Sequence, residues 1–221
     1  MPSRALLLLL GGLLASSPTP ATAQGFALAA RGGTMGLGAE AALGLGSRLA
    51  IRGGVGLMPL EPGLTIDDID YSLRLPETWF NLGADLHLVG GLRVGGGILF
   101  KSDDPSATAS LGEAVEIGGQ EFTPEQVGTL RGTLDSGDRV PYGILGFGRQ
   151  GRSGVGLFLD LGVGFTGEPE VHLETHGGTF PDPALLRDRL DAEERTFQEE
   201  IPSYLDYWPI LNLGLKVGLG G

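Results

Sequence analysis

The sequence predicts an all-β fold: an antiparallel, up-and-down transmembrane β-barrel of eight strands, with one amphipathic helix in a long outer loop. Three observations predict it. Apolar residues recur with period two through most of the chain. The pattern is inverted relative to a soluble sheet, with bulky aliphatics on one row and glycine, alanine and isolated charges on the other. Short and long connections alternate, and acidic residues collect in the long ones.

The N-terminus reads as an export signal over residues 1–23, leaving 24–221 as the barrel domain. Arg4 is the positive start, Ala5 to Leu14 the apolar core, and Ala21-Thr22-Ala23 a small-residue cleavage site before Gln24. That apolar core is too short to span a bilayer as a helix, and no later segment offers the roughly 18 uninterrupted apolar residues that a spanning helix needs.

The strands follow in order. In 35–45, Met35, Leu37, Ala39, Ala41, Leu43 and Leu45 alternate with Gly36, Gly38, Glu40, Ala42 and Gly44. Segments 49–57, 80–88 and 92–100 repeat the pattern, placing Arg52, Asp85, His87 and Arg93 on the small-residue row. Segment 140–148 is strand-like with a less distinct register. In 155–165 and 211–219 the small row carries Asp160, Asn212 and Lys216. These make seven strands, and bacterial barrels have an even number. The eighth is either Phe26 to Arg31, turning at Gly32-Gly33, or a strand containing Val171 to Thr175.

Which row meets hydrocarbon follows from side-chain size. The glycine row is too small and too sparsely polar for a solvated face, but it suits a narrow lumen. The bulky row then faces lipid. The composition agrees: 40 Gly and 14 Pro accompany 41% hydrophobic residues, which sets the chain apart from disordered Gly/Pro-rich sequences.

Tight turns fall near Gly46–Arg48, Val89–Gly91 and Arg149–Ser153, whereas 60–77, 102–138 and 167–206 are long. Every acid except Glu40, Asp85 and Asp160 lies in those three long segments, and the short turns carry Arg48, Arg149 and Arg152. Two long segments have internal structure. Ile117-Gly118-Gly119-Gln120 signals a hairpin, followed by an N-cap, proline and capping-box glutamine at Thr123, Pro124 and Gln126. Asp182 and Pro183 open a charged helix with Leu186, Leu190, Phe197 and Ile201 on one face, ended by Pro202. That helix is expected over the barrel mouth or against lipid headgroups.

The chain resembles small proteobacterial outer-membrane barrel proteins of OmpA-like or OmpW-like architecture. The resemblance rests on Gly33 to Glu40, Arg52-Gly53-Gly54, Ile117 to Gly128, Val140-Pro141-Tyr142, Phe158 to Gly162, the acidic helix and Tyr207-Trp208-Pro209. It implies a single outer-membrane barrel and brings no catalytic residues. Such barrels commonly end in an aromatic residue, and this chain ends Leu219-Gly220-Gly221.

The inward charges are Glu40, Arg52, Asp85, Arg93, Asp160 and Lys216, with Asn212 and His87 beside them. An unpaired charge in a narrow lumen costs several kcal/mol, so an ion-pair network is expected whatever the function. His172 and His176 share one row of a strand-like stretch with Glu170 and Glu174, a combination that could hold a metal weakly. A solvated face is the preferred reading there, as it is for Asp67, Asp68 and Asp70, which lack the spacing of a calcium loop.

With no Cys there is no disulfide or thiolate nucleophile, and the net charge of −12 disfavours nucleic acid. No nucleophile elbow, phosphate loop or zinc-protease motif occurs, and Ser153 has no nearby His. The sequence therefore leads to a monomeric outer-membrane barrel with a structural or interaction role, without cofactor or metal. Its expected partners are outer-membrane lipids, with lipopolysaccharide held through divalent cations at the acidic loops. A narrow channel or small-solute conduit, and a lipid-modifying barrel enzyme, stand as alternatives.

Overall fold

A computed structural model describes residues 25–58, 63–66, 69–148 and 153–219. The export-signal segment, Asp67, Asp68 and the turn residues 149–152 lie outside the described residues.

Eight strands close the barrel: β1 (Phe26–Gly33), β2 (Leu37–Gly44), β3 (Leu49–Leu57), β6 (Thr78–His87), β7 (Leu92–Lys101), β12 (Arg139–Gly148), β13 (Ser153–Phe165) and β15 (Tyr207–Leu219). Each pairs antiparallel with its neighbours in chain order, and β15 returns to β1 with Arg31 opposite Gly214. The expected eight-stranded up-and-down barrel is the observed one. Closure satisfies every edge, which hydrocarbon demands.

Side-chain placement decides which wall meets lipid. Leu82, Leu157 and Leu213 are 58%, 64% and 59% exposed, whereas Asp160 and Asn212, on the alternate row, are 2% and 1% exposed. The bulky aliphatic row forms an outer belt and the small row lines the lumen, the architecture of an outer-membrane barrel. Among the described residues, no helix is long and apolar enough to cross a membrane.

β1 supplies the eighth strand. Its turn falls at Thr34–Gly36 rather than at Gly32-Gly33, closed by bonds between Gly33 and Gly36 of 3.2 and 3.0 Å. Gly36 takes φ +78° there, and a Cβ would strike the Leu57 carbonyl oxygen at 2.2 Å. Met35, expected on the lipid row, sits in this turn and is 1% exposed inside the barrel. The turn breaks the period, so the residue before β2 does not follow its alternation.

The tight turns after β2 and β6, with both barrel ends at Phe26 and Leu219, mark one end of the barrel. The long connections leave from the other end and are not loose. They contribute β4 (Gly63–Ile66), β5 (Ile69–Arg74), β8 (Ser106–Ser110), β11 (Gly128–Asp135) and β14 (Glu170–Gly177), which pair in the order β14-β11-β8-β5-β4. Val171 to Thr175 thus belong to this second sheet, not to the barrel. Pattern alone could not separate the two, because a strand has the same period in either sheet.

The hairpin β9 (Val115–Ile117) and β10 (Gln120–Phe122) turns at Gly118-Gly119, with φ of +55° and +77°. Helix α1 (Pro124–Val127) follows, its N-cap Thr123 N–H donating to Gln126 Oε1 at 2.8 Å. Helix α2 (Pro183–Glu200) begins where Asp182 Oδ1 accepts from the Leu185 N–H at 3.1 Å. A 3₁₀ turn (Ser203–Asp206) leads into β15. α2 packs on β14 and β9 rather than across the barrel mouth itself. Leu186 and Leu190 are buried with Ile117, Phe122, Val127 and Leu173 in a second core wholly outside the barrel. Phe197, on the same expected face, stays 47% exposed.

Candidate functional site

Every barrel strand sends a polar side chain into the lumen. Arg31 comes from β1, Glu40 from β2, Arg52 from β3, Asn81 and Asp85 from β6, Arg93 from β7, Tyr142 from β12, Asp160 from β13 and Asn212 from β15. All are buried.

Arg52 is the hub. Its Nη1 donates to Asp160 Oδ2 at 3.0 Å and lies 3.6 Å from Glu40 Oε1; its Nε lies 3.4 Å from Asp85 Oδ1. Arg93 closes the circuit, with Nη1 2.6 Å from Asp85 Oδ2 and Nη2 donating to Asp160. A third guanidinium, Arg31, donates to Asn81 Oδ1 at 2.7 Å and lies 3.7 Å from Glu40 Oε2. Asn81 Nδ2 donates to the same Glu40 oxygen at 3.3 Å. Arg52 and Arg93 also lie over aromatic faces, 5.7 Å from the Tyr142 centroid and 5.6 Å from the Phe158 centroid.

The lumen glycines make this possible. A Cβ on Gly146 would lie 2.2 Å from Arg93 Nε, one on Gly95 2.1 Å from Asp85 Oδ1, and one on Gly83 2.3 Å from Tyr142 Oη. Each of these glycines leaves room for a polar side chain from another strand, so the small row is the space that the lumen side chains occupy.

The structure brings together six of the seven residues picked out as the lumen set. Glu40, Arg52, Asp85, Arg93 and Asp160 form the network, and Asn212 lies beside it, donating to Met35 Sδ at 3.6 Å. Lys216 is apart. It lines a small cavity of about 120 Å³ at the tight-turn end, together with His87 and Arg48, and a narrow recess running up to Glu40 and Arg93. His87 Nδ1 lies 3.1 Å from the Arg48 carbonyl oxygen at that rim.

Arg31 and Tyr142 were not among the expected lumen residues, and Asn81, on the small row of 80–88, was not among the expected network members. Arg31 was legible once β1 was placed, because Ala27, Ala29 and Arg31 are its inward row. Asn81 and Tyr142 look bland in sequence, and only the opposing strands show what they contact. Lys101, also buried, closes the inward row of β7 against Asp104.

Nearer the long loops the lumen turns apolar. Met35, Trp79, Leu99, Val140, Tyr142, Ile144 and Ile210 form one buried cluster, with Trp208 packed against it. The Trp79 and Trp208 rings are tilted with centroids 4.9 Å apart. From one end to the other the lumen thus runs from a shallow basic vestibule through an ionic layer to an aromatic plug.

The other sequence candidates lie elsewhere. His172 and His176 are on the exposed face of β14, where His176 Nε2 is 3.6 Å from Glu174 Oε2. Among the described residues, no group of three or more His, Asp or Glu side chains is disposed to hold a metal. Ser153 begins β13, opposite Leu219.

No family model matches this chain, and no curated protein matches it. Two solved structures from Acinetobacter baumannii share its fold. CarO2 is 21% identical with a TM-score of 0.60, covering 89% of this chain and 99% of its own. CarO is 19% identical with a TM-score of 0.53, covering 88% of this chain and 97% of its own.

Proposed function

We propose that this outer-membrane barrel is closed to solutes and serves a structural or interaction role at the cell surface. The observation that carries this reading is the filled lumen. The Arg52-centred network and the Trp79–Trp208 plug are stacked along one axis, and small barrels fill their interior with side chains rather than water. A conducting path would have to break buried ion pairs, and removing one partner of such a pair costs about 3–5 kcal/mol.

What the molecule offers to its surroundings is the outer sheet with α2. The long connections hold nearly all the acids of the chain, a surface suited to divalent cations shared with lipopolysaccharide phosphates. Residues 1–23 serve as the export signal, and the barrel acts as a monomer. We assign it no catalytic activity: His172 and His176 lie on the exposed face of β14 beside Glu170 and Glu174.

Planar-bilayer recording tests the closed state. The folded protein is expected to give no conductance steps under either polarity or after acidification. Reproducible steps from the wild-type chain would establish the narrow conduit instead.

A further inference from the structure

We propose that the outer sheet and α2 together hold an acyl chain of an outer-leaflet lipid in an apolar groove. The proposal rests on the membrane placement above and adds a binding site to it. The groove has a volume of about 470 Å³, within the roughly 300–1,000 Å³ typical of small-molecule sites.

Its floor is one register row of the outer sheet. Leu73 lies opposite Ala107, Ala107 opposite Gly132, and Gly132 opposite Leu173. The two small residues in the middle of that row make the concavity. α2 covers the β14 end of this face through Leu186 and Leu190. Its C-terminal part, with Phe197, and the following Ile201 and Leu205 form the opposite wall without filling the space between.

The groove lies at the level where the lipid belt ends. The next row on the same face has Leu134 opposite Val171, and only the pair Asp135 and Glu170 follows before these strands lead into the barrel. Leu205 is pinned to the end of β13, because Thr166 Oγ1 donates to its carbonyl at 3.2 Å. Beside it, exposed Phe165 and Tyr207 meet edge-to-face at 5.9 Å, as aromatic residues do at a membrane interface. The apolar surface of the groove therefore continues that of the belt.

A hydrocarbon chain fits this surface better than a peptide does. The floor is the face of a sheet whose backbone N–H and C=O groups already pair along their ladders. An extended peptide laid there would bury its own polar backbone without partners. An acyl chain has none to satisfy, and gains about 0.8 kcal/mol for each CH₂ buried.

The test is photo-crosslinking of the folded full chain in phosphatidylethanolamine/phosphatidylglycerol vesicles that contain a phospholipid with a diazirine in its acyl chain. Peptides containing Leu134 and Phe197 are expected to carry adducts, as are the belt peptides containing Leu157 and Leu213. Ala107→Trp fills the groove and is expected to cut groove adducts about tenfold, equivalent to about 1.4 kcal/mol, with belt adducts unchanged. Gly132→Leu serves the same purpose should Ala107→Trp fail to fold, as judged by heat-modifiable gel mobility. Adducts on the belt alone, or groove adducts indifferent to the filling substitution, would overturn the site and leave the barrel reading intact. Groove labelling by a free diazirine fatty acid but not by vesicle phospholipid would overturn the bilayer as source. Absence of belt adducts would overturn the membrane placement itself.

Discussion

Arg52 and Asp160 meet at 3.0 Å across the lumen from strands 108 positions apart in the chain. Only closure of the barrel brings them together, so the contact reports on assembly as well as on stability. Arg52→Met leaves Glu40, Asp85 and Asp160 with one guanidinium fewer. Denaturant unfolding in detergent micelles is expected to show a loss of about 3–5 kcal/mol. Combining Arg52→Met with Asp160→Asn should cost less than the sum of the two single changes, by about 0.5–3 kcal/mol. Strict additivity would show that the pair is not coupled.

The lumen glycines should be intolerant where their space is occupied. Gly146→Ala would place a methyl group against the Arg93 guanidinium. Arg93 would have to move off Asp85 and Asp160, so the variant is expected to unfold at a lower temperature than wild type. Gly143, with nothing within 4 Å of its missing Cβ, is the control and should accept alanine with little change. Equal effects at the two positions would refute the space-filling account.

Lipid exposure of the aliphatic row predicts a depth-dependent penalty. Leu213 lies midway along β15 and is 59% exposed. Leu213→Arg is expected to destabilise the barrel in lipid by about 2–4 kcal/mol, as arginine does near the bilayer midplane. On a water-facing wall the same substitution would be close to neutral. Equilibrium folding into vesicles distinguishes the two.

The contact between the β9–β10 hairpin and α2 offers a test confined to the outer domain. Gly118 has φ +55°, and a Cβ there would fall 2.5 Å from the Arg189 carbonyl oxygen. Its N–H donates to Glu193 Oε2 at 2.8 Å and its carbonyl accepts from Arg189 Nη1 at 3.0 Å. Gly118→Val combines backbone strain with this clash. Limited proteolysis should then cleave within 102–138 or 183–200 faster than in wild type, with heat-modifiable mobility retained. Unchanged cleavage would mean that the hairpin does not hold the helix.

Cation sharing with lipopolysaccharide predicts that neutralising acids of the outer segments weakens divalent-cation binding. Replacing Glu170, Glu174, Glu199 and Glu200 with glutamine should lower calcium uptake of the protein in lipopolysaccharide-containing vesicles, measured by calorimetry. Unchanged uptake would remove the cation from the proposed interaction.

The sequence by itself determined the barrel. Period two, the inverted size pattern and the sorting of acids into three long segments all follow from single-strand chemistry, since each strand has a lipid face and a lumen face whatever its neighbours. It also marked five charges of the network, Glu40, Arg52, Asp85, Arg93 and Asp160, because a lone charge in a row of small residues has nowhere else to point. Tertiary structure decided the rest. Whether Val171 belonged to the barrel or to another sheet depended on which partner offered a free edge, and a strand's own residues do not encode that. Met35 moved inward because a turn reset its register. Trp79 reached Trp208 only once the ends of β6 and β15 converged. The outer sheet was invisible to local pattern because its strands come from three separate connections, and only the closed barrel holds those connections close enough to pair.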